Sequence, residues 1–379
     1  MWLNYKLMKV SFYEAVATLV GCTIGAGILG IPYVFAKAGV VTGIIVLAVI
    51  ASIMLYLNLG FGEVVLRTKK KYQVTGYAEK YLGKKAKLIM MVSALIIFYL
   101  IMAAYILAAG KVFAQLLGIS EIFGSIIFFL IFAVTLSFGL KFIEESELGA
   151  SLVILILIIF LIILLAPKMS ITNINVFSAK NLLVPYGILM FAFYGLAAIP
   201  EMGEELEKNK KNLKKAILTG TISIGVIYAL FAIAAVGVMG MGTTEVAVLG
   251  LTMVIGPAIF LIGGLFALFA LFTSALPISL ATKEIFNYDL NVSNKISFLL
   301  ATLIPLGLFF AIKEFASFSI ILNIVGAIFC TIQLVLVLFM IESAKKKGDR
   351  KPEYSVYISR PLIYFIIALV VIGAVNVLI

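Results

Sequence analysis

The feature that most constrains this chain is a series of apolar runs about 20 residues long, the length needed to cross the hydrocarbon core of a bilayer. Eleven emerge between charged or turn-rich breaks: 11–36, 40–66, 88–110, 123–140, 148–166, 182–203, 213–240, 247–282, 296–312, 315–341 and 361–379. Hydrophobic residues make up 64% of the 379 and charged residues 12%, with mean hydropathy +1.21. That much apolar surface cannot be hidden in a water-soluble core, so the chain reads as an all-α polytopic membrane protein. Lys6 and Lys9 flank the first span, and the reading gives it no cleavable signal peptide.

Charge sets the orientation, because Lys and Arg in short loops stay on the cytoplasmic side. With the N-terminus inside, the outer loops hold only Lys37, Lys111, Lys168, Lys180 and Lys313 of the 29 Lys and Arg. The inner side holds the rest, in the stretches 67–87, 208–215 and 345–360 and at Lys6, Lys9, Lys141, Lys283 and Lys295. The net charge of +11 is therefore a topology signal beside anionic lipid, not a nucleic-acid signal. An odd number of spans puts Ile379 outside, in a plasma-membrane protein with a cytoplasmic N-terminus.

No histidine is present, which excludes metal sites and catalytic dyads that depend on imidazole. Cys22 and Cys330 both fall inside spans and read as small packing residues. No nucleophile, acid–base pair or ligand cluster has a meaningful spacing, so an enzyme is not expected. Nothing reads as the filter of a channel.

The chain repeats itself. Residues 27–32 read "GILGIP" in the first span and residues 195–200 read "GLAAIP" in the sixth, an offset of 168 residues. Five spans separate the two starts, so the corresponding spans run in opposite directions. This predicts a 5+5 inverted repeat, residues 1–170 and 181–344, with 361–379 as an appended eleventh helix. Gly/Pro interruptions at matching places in inverted halves point to discontinuous helices 1 and 6, broken near 22–28 and 192–197, around a midplane site. Glycine leaves helical φ/ψ at low steric cost and proline removes a donor. The freed backbone groups must face protein, water or a ligand, since lipid cannot satisfy them. The alternative is that Gly21, Gly25 and Leu29 form only a small-residue packing face.

The stretch "GCTIGAGILGIPYVFAKAG" (21–39) resembles the first-helix motif of the amino acid/auxin permease family, within the amino acid–polyamine–organocation superfamily. "GEVVLRT" (62–68), "AAYILAAG" (103–110) and "FAFYGLAAIPEMGEE" (191–205) are similar to that family's second, third and sixth helices. The resemblance implies a leucine-transporter-like fold and secondary transport of amino acids by alternating access.

The residues themselves suit a zwitterion. Beyond Gly25, the outer half of the first helix begins near Ala26 and Gly27, and its amides and positive dipole end suit a carboxylate. Carbonyls at Thr23, Phe191, Ala192 and Tyr194 offer acceptors to an ammonium group. Tyr105 matches, by resemblance, a third-helix tyrosine that reaches the substrate carboxylate; otherwise it is a packing or interfacial tyrosine. Phe193 and Tyr194 would shape the side-chain pocket. No Asp, Lys or Arg lies in these segments, which favours a neutral amino acid.

Coupling is expected from sodium. "ALFTSALPISLATKEIF" (270–286) resembles the eighth helix of the leucine-transporter fold, which implies a Na+ site of the Gly21, Ile24 and Ala270 carbonyls with the Thr273 and Ser274 hydroxyls. Five uncharged oxygens suit a hard monovalent cation. The alternative is that both hydroxyls bond back one turn along their own helix. The fifth span has no lysine to replace the cation, as proton-coupled relatives do. The other readings are a proton-coupled symporter or exchanger with Glu14 or Glu201 as proton carrier, and an amino-acid sensor on a transporter fold. Glu63 also sits in a span, and all three acids lie towards cytoplasmic ends, where pairing with loop lysines is the simpler role. Oligomeric state is not legible.

Overall fold

A computed structural model describes residues 2–138, 140–174 and 177–378, and the regular structure among them is helical. The first span is two helices, α1 (Trp2–Thr23) and α2 (Gly27–Ala38), bent by 61° at the break between them. Gly39, at φ 89°, makes the tight turn into α3 (Val40–Arg67), a conformation that needs no Cβ. The short α4 (Val74–Leu82) and α5 (Lys84–Leu117) meet at Gly83, φ 93°. Next come α6 (Glu121–Ser137), whose first turn is capped by the Ser120 hydroxyl, and α7 (Leu140–Leu165).

The sixth span is also broken, into α8 (Tyr186–Ala192) and α9 (Ala198–Glu205). Then follow α10 (Leu213–Met239), α11 (Ala247–Ile255), α12 (Pro257–Glu284) and α13 (Asn294–Ile312). The tenth span is α14 (Phe318–Ile324) and α15 (Thr331–Lys347), joined through a π-helical turn over Val325–Cys330, and α16 (Arg360–Leu378) closes the chain.

Both predicted interruptions therefore fall inside their predicted windows, at 24–26 and 193–197. The predicted eighth span needs correction. Residues 247–282 are not one helix, because Gly256 at φ 103° followed by Pro257 ends α11 and starts α12. Among the described residues seven helices are long and apolar enough to cross a bilayer, and an eighth if α1 with α2 counts as one span. The count of eleven remains an expectation from hydropathy. Lys6, Lys9 and Lys141 belong to stretches whose side chains lie outside the described residues.

The broken helices sit at the centre. α1 packs on α9 and α10, α2 on α8 and α10, and α5 lies against α12 and the π turn. The helices α7 and α16 turn Ile156, Ile163 and Ile372 outward, as a bilayer solvent allows. At the end rich in lysine and arginine, residues 348–359 form a strap between α15 and α16. The Asp349 and Arg350 amides donate to Arg67 O, and the Tyr354 hydroxyl donates to Leu59 O at 2.8 Å.

Candidate functional site

The site is built from helix ends. A helix leaves its last carbonyls and first amides without intrahelical partners, and two breaks at one level bring four such ends together. Thr23 closes α1 and Ala192 closes α8; both are buried. Across the first break the backbone bonds to itself locally, Gly25 N to Thr23 O at 3.0 Å and Ile28 N to Gly25 O at 3.3 Å. Across the second, Tyr194 N donates to Phe191 O at 3.0 Å and Ala198 N to Gly195 O at 3.2 Å.

The breaks touch each other, which explains their glycines. A Cβ on Gly27 would stand 2.9 Å from Ala192 Cα, and one on Gly195 would stand 2.6 Å from Thr23 Oγ1. A Cβ on Gly25 would overlap Ser274 Oγ. These are approaches of backbone to backbone or to a polar side chain, more specific than a packing stripe.

Three further helices supply side chains. From α12, Ser274 Oγ accepts from Ala26 N at 3.2 Å and donates to Ala270 O at 2.8 Å, so this hydroxyl reaches the first amides of α2. Tyr105 of α5 is 1% exposed with its hydroxyl beside Ser274, which brings it to the same point. Tyr228 of α10 has its hydroxyl 2.8 Å from both Thr23 O and Ala192 O, with its ring edge-on to Phe193 at 5.2 Å. On the other side of the second break, the Tyr194 hydroxyl donates to Gln333 Oε1, and Gln333 Nε2 donates to Ser93 Oγ at 3.0 Å.

The residues expected for substrate thus gather, Thr23, Gly25, Ala26 and Gly27 with Ala192, Phe193 and Tyr105, while Tyr194 is turned towards α15. Phe191 lies against Gly27, its Cδ1 at 3.4 Å from where a Cβ would be. Of the expected cation ligands, Ser274 and Ala270 adjoin the first break. Both hydroxyls bond back one turn along α12, Thr273 to Phe269 O and Ser274 to Ala270 O, each at 2.8 Å, as the alternative reading expects, and Ser274 in addition meets Ala26 N.

The acidic residues divide. Glu14 and Glu201 are exposed. Glu205 is the more enclosed: it accepts from Thr18 Oγ1 at 2.6 Å, and its Oε2 is buried without a hydrogen-bond partner among the described residues. It is the last residue of α9, at the basic end. Glu63 is fully paired, with Arg67, Lys345, Ser355 and the Val356 amide.

Tyr228, Gln333 and Glu205 escaped the sequence reading. Tyr228 and Gln333 lie in apolar helices outside any glycine-rich motif. Glu205 had a signal, since it closes "PEMGEE" one turn beyond Glu201.

The sequence family described as the tryptophan/tyrosine permease family matches residues 8–377. It is not the amino acid/auxin permease family to which the motifs were likened, though amino acid permeases in the broad sense are supported. The chain is 22% identical over 374 residues to glutamine transporter 2 of Aliivibrio fischeri, covering 94% of each. It is 25% identical over 361 residues to tyrosine-specific transport system 1 of Haemophilus influenzae, covering 88% of each. Among solved structures, MhsT in complex with L-phenylalanine superposes with TM-score 0.69 at 16% identity, covering 96% of this chain and 97% of that one. The inward-facing conformation of Mhp1 gives 0.64 at 15%, covering 86% and 76%.

Proposed function

The chain belongs to the tryptophan/tyrosine permease family; it is a membrane transporter of amino acids and not an enzyme, and we propose that it carries neutral amino acids by cation-coupled symport across the plasma membrane. The observation that carries this reading is the meeting of the two breaks. Two helix C-termini, Thr23 and Ala192, supply acceptors for an ammonium, and the N-terminus of α2 supplies amides for a carboxylate. The segments 21–32, 101–110 and 191–200 contain no charged residue, so a charged side chain would find no counter-ion.

Phe191, Phe193 and Tyr105 form the apolar and aromatic part of the pocket, which suits a large neutral side chain, while Tyr194 contributes only its backbone carbonyl. The relatives named for tyrosine and for glutamine bracket the substrates to try first. The halves 1–170 and 181–344 act as inverted repeats that rock about this fixed site, with the N-terminus cytoplasmic.

For the coupling ion we favour sodium. Ser274 and Ala270 stand at the first break, and a rotation of Thr273 away from Phe269 O would complete the set with the Gly21 and Ile24 carbonyls. A proton is the competing ion, and the enclosed Glu205 is its best carrier, ahead of Glu14 and Glu201.

Proteoliposome uptake of labelled tyrosine, with a sodium gradient, a proton gradient or neither at fixed membrane potential, tests this. Accumulation with sodium that is lost in Thr273→Ala and Ser274→Ala is expected. Accumulation driven by protons alone and lost in Glu205→Gln replaces sodium with a proton. No competition by any of the twenty amino acids sinks the transport reading, and binding without accumulation would leave a sensor.

A further inference from the structure

One hydroxyl touches the last carbonyls of both broken half-helices. Tyr228 is 0% exposed, and its Oη is 2.8 Å from Thr23 O and 2.8 Å from Ala192 O. A phenol has a single proton, so it can donate to only one of the two carbonyls at a time. Thr23 O also accepts from Gly25 N at 3.0 Å, but a carbonyl has two acceptor sites, so whichever carbonyl the phenol proton leaves keeps at least one lone pair, and the phenol oxygen keeps its own. Each carbonyl is also the negative end of a helix dipole. The result is a buried point rich in acceptors and supplied with one proton.

We propose that Tyr228 is the positioning residue of the ammonium subsite, holding the Thr23 and Ala192 carbonyls together in the empty carrier and offering its oxygen as a third acceptor once an amino acid enters. The inference rests on the amino-acid reading of the site given above. Three N–H donors of an ammonium match three oxygens, one from each of α1, α8 and α10. The ring is held for this task by its edge-on contact with Phe193, whose own position follows the second break. A second polar atom waits beside it: Thr23 Oγ1 is buried with no hydrogen-bond partner among the described residues, close to Gly195. By tying the two breaks with its own proton, the tyrosine lets the chain keep both helix ends buried and close without a charged side chain.

The test separates recognition of the ammonium from general damage. Equilibrium binding of labelled tyrosine and of its desamino analogue, which lacks only the ammonium, is measured on the full-length protein in lipid nanodiscs. Tyr228→Phe keeps the ring and its packing. It is expected to leave affinity for the desamino analogue unchanged and to weaken tyrosine by about tenfold, the loss of one hydrogen bond to a charged group. Tyr228→Gln, which restores a donor and an acceptor, is expected to regain part of the preference, and Tyr228→Met none; this pair carries the test should the Phe variant not fold. Equal weakening of both ligands, or an unchanged preference in folded variants, overturns the proposal. Failure of the wild-type protein to bind tyrosine or any competing amino acid would instead sink the functional reading.

Discussion

At the basic end of the bundle Glu63 is 1% exposed, and its two oxygens receive Arg67 Nε at 2.8 Å, Ser355 Oγ at 3.0 Å, the Val356 amide at 2.6 Å and Lys345 Nζ at 3.2 Å. At the midplane the Thr23 and Ala192 carbonyls are buried as well, yet beyond the local bond from Gly25 N to Thr23 O they share a single phenol proton. The first region saturates a buried charge until nothing remains to bind. The second leaves acceptors over and uses no charge. Saturation makes a clamp that ties α3 to the strap 348–359, whereas leftover capacity next to close-packed glycines makes a place for a ligand.

The largest effect that could break this contrast is expected at the midplane. Gly27→Ala puts a methyl 2.9 Å from Ala192 Cα and must push the breaks apart. Uptake should fall by about 100-fold, the cost of misplacing a reacting or binding group by about an ångström. Gly307→Ala, where nothing lies within 4 Å of the new carbon, should leave uptake unchanged. Labelled-substrate uptake normalised to surface expression reads both, and near-normal transport in Gly27→Ala would return the breaks to simple packing.

The clamp should respond in stability and not in transport chemistry. Glu63→Gln leaves Arg67 and Lys345 without their carboxylate, and breaking a buried ion pair costs about 3 to 5 kcal/mol. A lowered melting temperature is expected in detergent or nanodiscs, with uptake per folded molecule nearly unchanged. Uptake lost at unchanged stability would place Glu63 in the transport cycle and erase the contrast.

The smallest effect concerns Glu205, which belongs to neither extreme, being half satisfied: one oxygen accepts from Thr18 Oγ1 and the other is buried without a hydrogen-bond partner among the described residues. Glu205→Gln keeps an acceptor for Thr18 and is expected to move the melting temperature by a few degrees at most. A loss as large as that of Glu63→Gln would make Glu205 a second clamp and blur the contrast.

The composition of 21–32 and 191–200 determined by itself where helices 1 and 6 break, because the conformational freedom of glycine and the missing donor of proline are local properties that act within a few residues. Hydropathy likewise determined the membrane setting, since an apolar run of membrane length has no other solvent. Hydropathy could not divide 247–282, as α11 and α12 are both strongly apolar and the backbone at Gly256, followed by Pro257, separates them. The tertiary structure alone decided which side chains serve the breaks. Tyr228 lies 205 residues from Thr23 and 36 from Ala192, and Gln333 lies 139 from Tyr194. Such pairings leave no periodic trace in the sequence, because they are set by which helix faces meet when the bundle packs. Glu63 was legible as an acid in a span but not as a clamp, since two of its four partners, Ser355 and Val356, come from a strap that folds back over α3 only in three dimensions.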